Sequence, residues 1–143
     1  MYKLIIFSVF LIALHMPGLC QTLHKDSIKT DYIEFGSGGG FSGASKNYLL
    51  TPSGDLYTFK NMLTDANTLT YIKKVKKCTA KKIFSYANKK QIIERYSYNE
   101  PGNMYQYITL SVKNKKKNFV WGSSTSTPPA VIQTLSSKLN NLL

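Results

Sequence analysis

The sequence predicts an α+β domain: an antiparallel sheet of about five strands with two helices on one face, in the order strand, hairpin, helix, hairpin, helix. Three observations carry this. Apolar and polar residues alternate over Leu56–Lys60 and Tyr105–Lys113, the period of half-buried strands. Two turn signals, Thr51-Pro52-Ser53-Gly54-Asp55 and Asn114-Lys115-Lys116, each divide a pair of such runs. Two apolar stripes recur at helical spacing, Ala80, Ile83, Phe84 and Ala87, then Val131, Ile132, Leu135, Leu139 and Leu142.

The chain of 143 residues opens on Lys3, an apolar run Leu4–Leu14 broken by Ser8, and His15-Met16-Pro17-Gly18-Leu19-Cys20. Charge, a short greasy stretch, a helix breaker and small residues form the layout of a secretory signal. The run is about half of the roughly 20 residues a spanning helix needs. Residues 1–20 are therefore expected to be a signal peptide cleaved after Cys20, placing the protein outside the cytoplasm, secreted or periplasmic. The alternative is a lipoprotein anchored to the membrane through acylated Cys20, against which Leu19 is larger than that chemistry prefers. Residues 21–29 are polar and aperiodic and are expected to be a flexible lead-in. Residues 30–143 then form one domain, long enough to bury a core unaided.

Strands are expected at Thr30–Phe35, Ala44–Leu50 and Leu56–Lys60, with a short one near Leu69 and Tyr71. A helix over 79–89 is expected to start from Thr79 as its cap. Asn99-Glu100-Pro101-Gly102-Asn103 reads as a turn. Tyr105–Lys113 is the most regular strand, with Ile108, Leu110 and Val112 on one face and Tyr107, Thr109 and Ser111 on the other, and Lys117–Trp121 returns beside it. Thr127 is expected to cap a last helix opened by Pro128-Pro129. Trp121 reads as a core or core-margin residue.

Between the first two strands lies Gly36-Ser-Gly-Gly-Gly-Phe-Ser-Gly43, which holds five of the nine glycines. Glycine costs backbone entropy on ordering, so a folded run of it needs positive φ angles or a close backbone approach. The run reads as a loop beside an edge strand, with Gly39, Gly40, Phe41, Ser42 and Gly43 as candidate partner-binding residues. In the competing reading the glycines only let strands cross and Phe41 fills the core.

Little here serves catalysis. Beyond the leader, His24 is the one histidine, and it sits in the lead-in. Serine or cysteine nucleophiles need such a base, and zinc needs several nitrogen or sulfur ligands. Asp26, Asp31, Glu34, Asp55, Asp65, Glu94 and Glu100 form no paired-carboxylate motif. Gly38, Gly40 and Gly43 match G-x-G-x-x-G, yet a strand follows where a dinucleotide fold opens a helix. No enzyme, cofactor or metal is expected. With Cys20 removed, Cys78 has no disulfide partner in the chain and reads as a small buried or half-buried residue.

The formal net charge is +12, and Arg95 is the single arginine among 19 basic residues. Arginine is favoured where phosphate or carboxylate is gripped bidentately. The clusters Lys73, Lys74, Lys76, Lys77, Lys81, Lys82 and Lys115–Lys117 therefore read as solvated surface rather than a nucleic-acid site.

Gly39-Gly40-Phe41-Ser42-Gly43 resembles the Gly-Gly-Phe-Ala-Gly segment of emfourin-like proteins. So does the later order: a tyrosine-bearing strand at 105–112, a returning strand at 117–121, then Pro128-Pro129 opening a leucine-rich helix. The resemblance implies a proteinaceous inhibitor of a thermolysin-like metallopeptidase and a protein partner, with Gly39, Gly40, Phe41 and Gly43 as the segment to watch. The chain departs from that family in its leader, its greater length and its Ser53-Gly54 hairpin. It more closely resembles a group of small uncharacterised exported bacterial proteins over residues 31–143, through the Gly-rich segment, the Pro-Gly-Asn turn and Val120-Trp121-Gly122. The alternative function is a structural or envelope-associated domain; a small hydrolase comes third.

Overall fold

The computed structural model of the protein describes residues 23–41, 43–60, 68–122 and 124–143. The segment read as a signal peptide, with Cys20, lies outside the described residues, as does Ser42.

The strands are β1 (Leu23–His24), β2 (Tyr32–Gly39), β3 (Lys46–Leu50), β4 (Asp55–Phe59), β5 (Thr68–Lys74), β6 (Asn99–Glu100), β7 (Met104–Val112) and β8 (Lys115–Trp121). The helices are α1 (Lys77–Lys89), the single turn α2 (Ile92–Arg95) and α3 (Ala130–Asn140). The strands form one sheet in the order β1-β5-β4-β3-β2-β7-β8-β6. This corrects the expected sheet of about five antiparallel strands: among the described residues there are eight, and β6 runs parallel to β8. The α+β class stands. The miss has two sources. Strands of two residues, as β1 and β6 are, show no periodicity to read. A parallel pair also needs no hairpin turn to announce it.

Alternation decides what faces what. Ile33 and Phe35 on β2, Leu50 on β3, Leu56 on β4, Ile108 and Leu110 on β7 and Phe119 on β8 enter one core. Ala80, Ile83 and Ala87 of α1, Ile92 of α2, and Ile132, Leu135, Leu139 and Leu142 at α3 close it. The opposite face has its own smaller cluster, Leu49, Phe59 and Leu69, covered by Leu23, Ile28, Tyr32 and Tyr57. Part of the expected lead-in thus carries structure. Leu23 pairs with Leu69, and a one-turn helix over Lys25–Ser27 lies across this face.

The β3–β4 turn is tied by its own side chains. The Gly54 N–H donates to the Thr51 carbonyl at 3.0 Å, and the Asp55 N–H to Thr51 Oγ1 at 3.1 Å. Lys74 Nζ on β5 reaches Asp55 Oδ1 at 2.6 Å. Burial alone would raise the Asp55 pKa, but hydrogen bonds from Lys74, Ser53 and Thr51 outweigh it and hold the carboxyl below its usual range. The β7–β8 turn has Lys113 and Asn114 at φ 51° and 61°, with Val112 opposite Lys115. Two positive-φ residues make the hairpin turn whose twist matches its strands.

Both helix starts differ from expectation. Lys76 precedes α1, and Thr79 lies within its first turn with no capping bond. Pro129, not Thr127, precedes α3. A residue before proline is steered out of helical geometry, so neither Thr127 nor Pro128 can begin that helix. Gln133 Nε2 reaches back to the Pro128 carbonyl at 2.8 Å instead. Cys78, expected to be buried or half-buried, is exposed on the solvent face of α1. Among the described residues no helix is long and apolar enough to cross a membrane.

Candidate binding edge

β2 does not stop at the glycines. It runs through Gly36, Ser37, Gly38 and Gly39, paired with β7 throughout and with β3 as far as Ser37. The segment therefore sits at the end of a central strand rather than beside an edge strand. The reason is a close backbone approach. A Cβ on Gly39 would stand 2.1 Å from the Asn103 carbonyl oxygen, and its φ of +100° suits glycine alone. Gly39 pairs with Met104, and the Gly40 N–H donates to the Asn103 carbonyl at 2.8 Å. The Gly43 N–H then closes a turn onto the Gly40 carbonyl at 3.1 Å.

Phe41 stands at the tip of this turn, fully exposed. This overturns the reading in which it fills the core. Met104, where β7 begins beside Gly39, is 64% exposed. Burying a phenylalanine or methionine is worth roughly 1.5–3 kcal/mol each, and the fold collects little of it at these two positions. Trp121, at the end of β8 on the same side, packs against the main core as a half-buried residue.

Of the candidate partner-binding residues, the fold gathers Gly39, Gly40, Phe41 and Gly43 around one hydrogen-bonded turn. Met104 was missed. Only the register places it beside the glycines, and no local pattern marks it.

The possible reactive groups lie apart. His24 is on β1, Cys78 on α1, Glu94 on α2 beside Lys115 at 3.2 Å, and Asp31 accepts from the Lys113 N–H at 2.9 Å. Among the described residues no three His, Cys, Asp or Glu side chains are grouped to hold a metal ion. Lys73, Lys74, Lys76, Lys77, Lys81 and Lys82 are all exposed along β5 and the start of α1. Compared with models of protein families and with curated proteins, the chain matches none.

Proposed function

We propose that this chain is an exported, non-catalytic binding domain that presents Phe41 to a protein partner. The observation that carries the reading is the exposed ring on a turn that Gly43 closes onto Gly40, which is itself hydrogen-bonded to Asn103. A contact group held by its own fold loses little freedom on docking, so more of its burial appears as affinity. Buried aromatic anchors dominate protein interfaces, and Met104 widens the apolar surface beside this one.

The partner we propose is a peptidase of the thermolysin-like metallopeptidase kind, on the resemblance of Gly39–Gly43 to the emfourin segment. Inhibition of a thermolysin-like peptidase by the purified protein, with Phe41→Ala beside it, tests the class. Inhibition at submicromolar concentration, weakened by the substitution, supports it; full peptidase activity at protein excess removes the peptidase. Affinity capture from envelope extract with wild type and Phe41→Ala tests the binding role separately. Partners lost from the variant but retained on wild type are expected. An identical set on both would remove Phe41 from the function.

A further inference from the structure

The face of the sheet opposite the helices carries a second feature, unrelated to the Phe41 turn. Glu34 lies in the middle of β2, paired in register with Leu49 and with Thr109. Its side chain is only 7% exposed. A carboxylate so placed is costly unless its oxygens are satisfied. Lys25 Nζ comes to 2.8 Å from Oε1, but off the hydrogen-bonding direction, and Oε1 accepts no hydrogen bond among the described residues. The charge is balanced by contact with the ammonium, while the hydrogen-bonding direction of Oε1 is unfilled.

Glu34 lines an open groove of about 260 Å³ with Lys25, Tyr105, Tyr107, Thr109 and Asn118. Some of these groups are already used. The Tyr107 hydroxyl donates to Asn47 Oδ1 at 2.8 Å, and Thr109 Oγ1 to Asn118 Oδ1 at 2.9 Å. That second bond fixes the Asn118 amide and leaves its Nδ2 donor with no partner among the described residues. The Tyr105 hydroxyl has none either. The groove therefore offers a buried acceptor, two outer polar groups, an ammonium and tyrosine rings.

We propose that this groove binds a neutral saccharide. The ion pair cancels its own charge, so an added cation would meet the Lys25 ammonium at the oxygen it seeks, and an added anion would meet Glu34. A sugar hydroxyl both donates and accepts, which suits Oε1 and Nζ together, and a pyranose C–H face suits a tyrosine ring. The volume lies just under the roughly 300 Å³ where drug-sized pockets begin, room for one ring-sized unit. A cleft of about 200 Å³ beside the β7–β8 turn is a poorer candidate, because the Lys115 ammonium there donates a hydrogen bond to an exposed Glu94, so that pair presents no buried acceptor in want of a donor.

The test is amide NMR of the purified protein titrated with maltohexaose, cellohexaose and chitohexaose, with Nα-acetyl-arginine amide as the cationic control. Expected are shifts at Thr109, Asn118 and Val120, the last also on the groove wall, with at least one oligosaccharide. Glu34→Gln should weaken that binding about tenfold. Asn118→Ala, at an exposed position, should weaken it severalfold, with a denaturant melt of the variant checking that loss of the Thr109 contact leaves the fold intact. Phe41→Ala should leave it unchanged. No shifts at these residues with any of the three sugars, stronger binding of the arginine probe, or sugar binding indifferent to Asn118→Ala would each overturn the proposal.

Discussion

Gly39 and Gly43 bound the same turn, yet the fold depends on them differently. Gly39 combines positive φ with a backbone oxygen where a Cβ would sit, whereas Gly43, at φ +60°, has nothing within 4 Å. Gly39→Ala should cost at least about 2 kcal/mol and Gly43→Ala about 1 kcal/mol, read from denaturant melts. Phe41→Ala should shift stability by less than about 0.5 kcal/mol, since no folded contact is lost, while weakening a partner about 30-fold. Tyr107 has a different dependence. Burial, then the nearby Glu34 carboxylate, pushes its phenol pKa well above the ordinary value. A raised pKa adds stability that is complete below the unfolded value near pH 10 and is lost as pH rises toward the folded value. Wild type should therefore lose up to about 1.4 kcal/mol per pH unit above about pH 10 through this group, and Tyr107→Phe should flatten that limb of a pH-stability curve.

Elements carry their own imbalances. α1 starts with Lys77, has no acidic residue in its first turn and has no side-chain cap, so its positive dipole end faces like charge. Lys77→Glu should stabilise the protein by about 0.5 kcal/mol at low salt and by less at high salt, measured by thermal melts at two ionic strengths. In the β7–β8 turn, Lys113 occupies a left-handed conformation that asparagine tolerates better. Lys113→Asn with Asn114→Gly should add roughly 0.5–1 kcal/mol, with the Asp31 contact kept because it is made to the backbone N–H. At this scale much was legible. The strands of the β3–β4 and β7–β8 hairpins and the stripes of α1 and α3 follow periods set by backbone geometry. Helix starts were less legible, because a threonine in a plausible capping position caps only if the chain before it takes extended geometry and aims the hydroxyl inward. Pro128 and Pro129 moved one start, and Lys76 took the other.

Across the whole molecule, the sheet is covered on both faces, by helices on one side and in part by the segment from Leu23 to Ile28 on the other. Leu23→Ala with Ile28→Ala should lower stability by about 1–2 kcal/mol without unfolding the main core, seen as a lower midpoint at unchanged helix content. The local sequence determined what local rules can determine: the α+β class, the alternation that sends Ile108 and Leu110 inward, the hairpins, and a glycine segment under backbone constraint. Strand count, the parallel β6–β8 pair, the meeting of Phe41 with Met104 and the Glu34 groove were decided only by the tertiary structure. Each of these brings together residues far apart in the chain through sheet register or packing, and neither composition nor periodicity encodes which distant backbone a strand will meet.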